Sequence, residues 1–310
     1  HMDIQEKLLL LQQLSGLSQD ALARRLGVSF AAYNRWVNGR ARPRAQAVRK
    51  IDALFAQHAG LHIVSDSTRS PKVQLLSARR KAHPRPLKVI QAHPDIRDAF
   101  LLALTFHTNR IEGSTLTEAE TAAILFAQGR SPRKSVIEQL EAKNHQAALE
   151  YMFTYVAKGK PISEAFILRC HEILLNAIRD DAGMYRNHPV RIVGSNIPTA
   201  NYLKVPARMS ELVKKIQRKA KSEIISHAAA VHAEFEQIHP FADGNGRVGR
   251  LLMHAMLLKA HFPPAVITQQ KRGQYMKALQ RAQQDDEMGP LVDVSADAVL
   301  KGYLILERKA

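Results

Sequence analysis

From Asp95 to the end of the chain, apolar residues recur at three- and four-residue spacing, broken only by short polar stretches. The spacing predicts helices over 95–110, where Phe100, Leu101, Leu104 and Phe106 are apolar, and over 116–127, 135–158 and 162–178. Thr115-x-Thr117-Glu118 and Ser135-x-x-Glu138 offer capping groups at two of the starts. Further on, 223–238 carries Ala228-Ala229-Ala230-Val231 and then Ala233, Phe235 and Ile238, while 248–260 is apolar almost all round. These read as two buried helices joined by a polar turn, followed by helices over 272–283 and 291–306. One stretch has a different period. Pro189-Val190-Arg191-Ile192-Val193-Gly194 alternates and Gly194-Ser195-Asn196 is turn-like, which predicts a β-hairpin in a helical protein.

The N-terminal residues 3–58 form a separate helical pattern. Ser18 and Ser29 are N-cap residues for helices over 19–26 and 30–38, Gly27-Val28 makes the turn between them, Gly39 ends the second, and Pro43 lies just beyond. Ala21, Leu22, Leu26, Val28, Trp36 and Ile51 are the expected core. Two short helices joined by a glycine turn are the helix-turn-helix arrangement. Residues 59–94 read as a connector, polar at 65–71, basic at Arg79-Arg80-Lys81, and punctuated by Pro84, Pro86 and Pro94. Leu61–Val64 and Val73–Leu76 are short apolar pieces expected as small strands. The expected organisation is therefore 3–58, a linker at 59–94, and a larger unit at 95–310, mainly α, with one small hairpin.

Composition adds three constraints. Hydrophobic residues make up 45% of 310, enough for packed cores, yet no apolar run is long enough to span a bilayer and no signal peptide precedes the first helix. His1-Met2 is read as a cloning remnant. The single cysteine, Cys170, excludes an intramolecular disulfide, fits a reducing cytoplasm and sits in an apolar helix as a core thiol. The net charge of +17 calls for a polyanionic partner, and the excess lies towards the N-terminus, where residues 1–90 hold 16 Lys and Arg against 5 Asp and Glu.

The polar turn between the two buried helices carries the chemistry: His239-Pro-Phe-Ala-Asp243-Gly244-Asn245-Gly246-Arg247-Val-Gly-Arg250. Gly244 and Gly246 let backbone N–H groups converge at a helix N-terminus, which suits an anion. Arg247 and Arg250 are three apart, so they share a helix face and can fork onto phosphate oxygens. Asp243 is a hard oxygen ligand suited to Mg²⁺ shared with phosphates. His239 is the one group in the turn that is a competent base near neutral pH. A base beside a metal-bound polyphosphate points to transfer of a phosphorus group to a hydroxyl. The remaining histidines have no zinc spacing, and His227 and His232 read as core or surface residues.

This stretch resembles the Fic (filamentation induced by cAMP) family signature, H-P-F-x-[D/E]-G-N-G-R-x-x-R, at every fixed position. The resemblance implies a helical fold and transfer of AMP from ATP to a Ser, Thr or Tyr hydroxyl of a protein. It makes His239 the base, Asp243 the Mg²⁺ ligand, Gly244, Asn245 and Gly246 the anion hole, Arg247 and Arg250 phosphate ligands, and Phe241 a core anchor for the loop. Relatives that transfer phosphate carry Lys where Gly246 stands and lack the second Arg, so the pattern here favours AMP transfer. Thr108-Asn-Arg-Ile-Glu112-Gly113 resembles the family's inhibitory motif, [S/T]-x-x-x-E-[G/N]. By that resemblance Glu112 pairs with Arg250 and keeps the γ-phosphate from its productive seat. In some relatives the same Glu positions a water that removes AMP again. Val190, Arg191, Ile192 and Val193 fall where the family has a flap that pairs with the target's extended segment. Tyr275 matches a position where relatives hold the adenine, and a core or surface tyrosine fits the spacing as well. Asp285-Asp286-Glu287 reads as a solvated acidic turn.

Gln19-x2-Leu22-Ala23-x2-Leu26-Gly27-Val28-Ser29 with Arg35-Trp36-x2-Gly39-x3-Pro43 resembles the Cro/C1-type (XRE) helix-turn-helix family, departing at Asn38, where the family often has Glu. The resemblance puts Ser29, Phe30, Ala31, Tyr33, Asn34 and Arg35 on or near the recognition helix. Gln19 then touches the DNA backbone, and Arg40, Arg42 and Arg44 meet phosphates. Together the two resemblances imply a cytoplasmic, nucleoid-associated homodimer on a palindromic operator, carrying a self-inhibited AMP transferase whose target is another protein or itself. A regulator whose Fic domain only senses nucleotide, and a toxin–antitoxin component, are the rival readings.

Overall fold

The computed structural model describes residues 4–15, 17–59, 71–127, 135–191, 197–218 and 224–308. It divides into two units, His1–Ser67 and Thr68–Ala310. Among the described residues all regular structure is helical.

In the first unit, α1 (Ile4–Ser15), α2 (Gln19–Leu26), α3 (Phe30–Val37) and α4 (Ala45–Ala59) enclose one small core. Ser18 and Ser29 accept hydrogen bonds from the Ala21 and Ala32 backbone N–H groups and cap α2 and α3, as the spacing predicts. Gly27 ends α2 at φ 72°, a left-handed conformation that a β-carbon disfavours. Leu8, Leu11, Leu22, Leu26, Tyr33, Val37, Ile51, Leu54 and Phe55 fill the interior.

In the second unit, α5 (Pro71–Ala82) and α6 (Pro86–Ala92) lead into α7 (Pro94–Ile111) and α8 (Glu118–Phe126). Then come α9 (Val136–Ala157), α10 (Glu164–Leu174), α11 (Val205–Gln217), α12 (Ile224–Ile238), α13 (Asn245–Lys259), α14 (Arg272–Gln284) and α15 (Met288–Leu306). At the centre α12 packs on α13, and both are buried on most of their surface. Helices α9 and α10 cover α13, while α11, α14 and α15 cover α12. Helix α7 lies against α9 and α15, so its C-terminal end reaches the α12–α13 turn. An apolar core runs through this whole unit, with Cys170 buried in it and its thiol pushed well up by burial.

Several expectations need correction. Val73–Leu76 is not a strand but part of α5, and Leu61–Val64 lies outside the described residues. From Pro71 the expected connector is helical: Lys72 bridges Asp293 and Asp297 on α15, and Arg79 pairs with Glu307. Helix α8 starts at Glu118 rather than 116 because Thr117 forms a capping box with Glu120, not with a residue nearer by. Glu138 instead accepts from the Ser114 hydroxyl and the Thr115 N–H. Helix α10 is shorter than 162–178, running from its Ser163 cap to Leu174. Helix α11 is not among the predicted elements, although Val205, Met209 and Leu212 form a buried stripe and Pro206 stands in its first turn. Of the predicted hairpin, residues 192–196 lie outside the described residues. Its described arms carry no strand pairing and are joined by the Thr199 hydroxyl donating to the Val190 carbonyl at 2.9 Å. Asp285 and Asp286 are exposed, whereas Glu287 pairs with Arg281.

Candidate active site

The α12–α13 turn is held from three sides. Phe241 is buried and stacks on His171 at 3.7 Å between centroids and 4° between planes. His171 in turn accepts from the Gly183 N–H through Nδ1 (2.8 Å), so the proton sits on Nε2, which faces the Asp243 carbonyl at 3.1 Å. Burial holds that imidazole down at about 4, so it stays neutral. The Asn245 side chain closes the turn on itself, donating to the Phe241 carbonyl and accepting from the Phe241 N–H, both at 2.9 Å. Only the Asn245 backbone is therefore left for an anion.

Gly244 caps α13 at φ 78° with no side-chain bond to the first turn. The N–H groups of Asn245, Gly246 and Arg247 have no intrahelical acceptor by geometry, and they stand at the positive end of the helix dipole. That makes an anion cradle at the start of α13. Asp243 sits at its lip, its side chain 53% exposed, with Oδ1 accepting from the Gly244 N–H and Oδ2 3.6 Å from Arg247 Nη2. Arg247 is buried and pairs with Glu141 on α9 at 2.7 Å, a partner that no local pattern pointed to.

His239 ends α12 in the left-handed region, at φ 51°. Its Nδ1 lies 3.2 Å from the Glu236 carbonyl, so a proton on Nδ1 leaves the Nε2 lone pair free. Burial lowers its pKa, and the Arg186 charge adds to that. The Glu236 carbonyl and the Glu112 and Asp243 carboxylates pull the other way. The imidazole is thus mostly unprotonated at neutral pH.

Arg250 lies one turn into α13 with 3% of its side chain exposed. Its Nη2 meets Glu112 Oε1 at 2.5 Å, its Nε donates to the Thr108 hydroxyl at 3.2 Å, and its Nη1 lies 3.5 Å from the Tyr275 hydroxyl. Burial alone would lower its pKa, but the Glu112 carboxylate, helped by neighbouring Tyr275 and Glu236, moves it upward. Glu112 is the C-cap residue of α7, 39% exposed, and Gly113 follows at φ 106°. A β-carbon on Gly246 would collide with the Glu112 carboxylate, so this glycine gives Glu112 its way to Arg250. Tyr275 is 1% exposed and its hydroxyl also bonds His232 Nε2 at 2.6 Å. It supports Arg250 from beneath and offers no open face to an adenine, which corrects the adenine-holding expectation.

The buried titratable groups around the site predict how stability follows pH. Burial holds His107 and His171 at about 4 and His232 and His254 at about 3. Unfolded, each takes a proton near 6.5, so the unfolded state binds more protons below that pH and stability falls as pH drops. The slope is about 1.4 kcal/mol per pH unit for each group. Glu236 works the other way: burial raises its carboxyl to about 8, so stability falls as pH rises from 4.5 to 8. These four imidazoles, joined by His145 and His239, which burial also lowers, outweigh one carboxyl below 6.5, and Glu236 opposes them and continues to act up to about pH 8. Urea unfolding is expected to give its highest midpoint near pH 6.5 and its lowest at pH 5, with a small decline at pH 8 that Glu236→Gln removes. Equal midpoints at pH 5 and 6.5 would refute it.

Residues 161–257 match the Fic/DOC family model, a span that contains the whole turn and both arginines. The chain carries a Fic/DOC-family domain. Residues 9–56 match a helix-turn-helix family model. Among curated relatives, the protein adenylyltransferases Fic of Drosophila ananassae and Drosophila melanogaster are each 32% identical over 203 residues, 63% of this chain. The chain spans only 39% and 40% of the length of those relatives. Among solved structures, a Fic domain-containing signaling protein from Bacteroides thetaiotaomicron superposes with a TM-score of 0.67 over 76% of this chain and 97% of that one, at 24% identity. Fic-1 (residues 134–508) from C. elegans gives 0.63 over 96% and 94%, at 23% identity. These two likenesses establish the fold. Inside the Fic domain the model match does not reach Thr108, Glu112 or Tyr275, whose placement beside Arg250 is known from the geometry alone.

In the helix-turn-helix unit, Ser29, Phe30, Ala31 and Arg35 are exposed along α3, with Phe30 at 49%, and Arg40 and Arg42 are exposed just after it. Asn34 donates to the Gln19 side chain at 3.2 Å and so fixes α2 to α3. Tyr33 does not belong with the exposed set. Its ring is fully buried between α1 and α3 and its hydroxyl lies 3.5 Å from the Leu8 carbonyl, because position 33 falls on the same inward stripe as Val37.

Proposed function

We propose that the Fic domain is a protein adenylyltransferase that moves AMP from ATP to a Ser, Thr or Tyr hydroxyl, held in check by Glu112. The observation that carries this reading is the placement of His239, with a free Nε2, beside an uncapped α13 N-terminus and two buried arginines. The names of the Drosophila relatives point the same way. His239 Nε2 takes the proton of the attacking hydroxyl, whose oxygen bonds to the α-phosphorus as pyrophosphate leaves. The N–H groups of residues 245–247 receive phosphate oxygens as charge develops. Arg247 and Arg250 bind the polyphosphate once it displaces Glu141 and Glu112. Asp243, a half-exposed carboxylate at the lip of the cradle, is suited to hold Mg²⁺ jointly with phosphate oxygens, a set that Mg²⁺ favours over an all-protein cage. Mg²⁺ there would offset phosphate charge.

Incubation with ATP labelled on the α-phosphate, in parallel with ATP labelled on the γ-phosphate, tests this directly. Label on protein from the α- but not the γ-phosphate is the expected result. Label from the γ-phosphate alone would mean phosphorylation. Nucleotide binding with no label from either, in Glu112→Gly and with lysate supplied, would make the Fic domain a nucleotide sensor. Removal of AMP at the same site would appear as loss of label on adding pyrophosphate-free Mg²⁺ buffer.

The helix-turn-helix unit is the DNA-binding part of this reading, with α3 in the major groove and Arg40 and Arg42 on phosphates. We extend the proposal to a homodimer on a palindromic operator in the cytoplasm, with self-modification as a link between nucleotide chemistry and DNA occupancy. Arg40→Ala and Arg42→Ala are expected to weaken binding alike on all sequences, each lowering the slope of log K against log salt by about 1. Arg35→Ala is expected to flatten discrimination between operators. Unchanged salt slopes, measured by fluorescence anisotropy, would remove the phosphate assignment.

A further inference from the structure

Arg186 is the most deeply committed cation that the chemistry above leaves unused. Its side chain is 4% exposed, and burial is what lowers its pKa. Among the described residues it donates only to carbonyls: Nε to His239 O at 2.7 Å, Nη1 to His188 O at 2.9 Å, and Nη2 to Ala200 O at 2.5 Å and Ile238 O at 3.4 Å. Its own N–H donates to Pro240 O at 3.0 Å. A buried charge without a counter-charge is costly, and an apolar side chain would fill the same space at less cost. The guanidinium is therefore suited to what only a planar fork does, which is to fix several backbone acceptors relative to one another.

Those acceptors belong to two functional pieces. Ile238, His239 and Pro240 are the base and its flanks. His188 and Ala200 lie on the described outgoing and returning arms of the segment that the family resemblance makes a target-docking flap, a reading this proposal adopts. The Ala200 N–H donates to Gln237 O at 3.3 Å, and the Thr199 hydroxyl ties the arms together through Val190 O. His239 is a non-glycine residue in the left-handed region, a conformation that persists only when its surroundings hold it, and the Arg186 bond to its carbonyl is one such hold.

We propose that Arg186 is a positioning residue that locks the acceptor-docking arms and the base His239 into one register, so that a hydroxyl presented by a docked strand arrives at Nε2. This rests on the adenylyltransferase reading for its functional consequence, but its structural part stands without it. An error near 1 Å in such a placement costs about 10²-fold in rate. Nucleotide binding is spared, because Arg186 bonds no residue of the anion cradle.

The test compares Arg186→Lys and Arg186→Met in the full chain carrying Glu112→Gly. Expected are a fall of about 10²-fold in kcat for protein labelling, with ATP affinity within threefold of the parent. Amide exchange at 187–191 and 197–200 should rise in both variants. The imidazole pKa of His239, read by NMR, should rise in Arg186→Met, where a facing positive charge is lost. In Arg186→Lys it should move less, with Glu112, Asp243 and the Glu236 carbonyl still facing the ring. If Arg186→Met fails to fold, Arg186→Lys carries the test, since it keeps the charge and loses the fork. Labelling and arm exchange both within threefold of the parent would overturn the proposal. If Glu112→Gly itself labels nothing, the transferase reading fails separately, and exchange at the arms together with the His239 titration still decides whether Arg186 couples them.

Discussion

Glu112→Gly is expected to raise AMP transfer by about one to two orders of magnitude over the intact chain. The Glu112–Arg250 contact is a hydrogen bond between charged groups, a class worth about 1.5–3 kcal/mol, and each 1.4 kcal/mol is a factor of ten. While it is made, the guanidinium that would bind the polyphosphate is occupied, and ATP must pay to displace it. Since Glu112 is partly exposed, the lower part of that range applies. The loss need not loosen α7. Its C-terminal end is held independently, by Arg110 to Gln269 Oε1 at 2.7 Å and to Ser114 O at 2.6 Å, and by Arg272 to Ile111 O at 2.7 Å. On the proposed reading, relief of inhibition is therefore expected as a side-chain event at Glu112 rather than a displacement of the helix. Glu112→Gln, which keeps the shape and drops the charge, is expected to fall between the two. Quantified label per protein gives the comparison. Equal kcat/KM for ATP in the intact chain and Glu112→Gly would dismiss the carboxylate as a brake.

The residues that could be read from sequence are those whose neighbours are local. Ser18, Gly27 and Ser29 shape α2 and α3 through contacts three or four residues away, and the apolar faces of α7, α12 and α13 announce themselves by period. The signature turn is legible for the same reason: Phe241, Asn245 and Gly244 complete one another within five residues. What stayed hidden depends on partners far along the chain. Glu141 reaches Arg247 from 106 positions away, and nothing in the spacing around either points to the other. Tyr275 sits under Arg250 because α14 packs against α12, so its aromatic character alone left adenine and core equally open. Arg186 looked like one more cation in a chain of +17, and only the fold shows four carbonyls around it. Tyr33 faces inward, against expectation, for a simpler reason. A short recognition helix has both faces within eight residues, and proximity in sequence to Ser29 and Arg35 does not say which face a residue takes.

His239→Ala in the Glu112→Gly chain is expected to lower AMP transfer by about 10²–10⁴-fold, the usual worth of a general base. ATP affinity should change little, because the imidazole lies at the hydroxyl's side of the reaction and the phosphates are held by the α13 N-terminus and the arginines. The pH profile supplies a second reading of the same residue. A base works unprotonated, and burial has lowered the His239 pKa below its ordinary 6.5. The acid limb of kcat in the parent should therefore fall off below 6.5 rather than at it, so that activity at pH 6.5 remains above half of its plateau. The residual activity of His239→Ala should lose that limb. Asp243 and Glu112 face the ring and favour its protonation, so removing Glu112 moves the limb slightly further to acid, a small shift opposite to the one expected for Arg186→Met. A profile with its midpoint above 7, or a His239→Ala variant that still labels within tenfold of the parent, would mean that another group takes the hydroxyl proton.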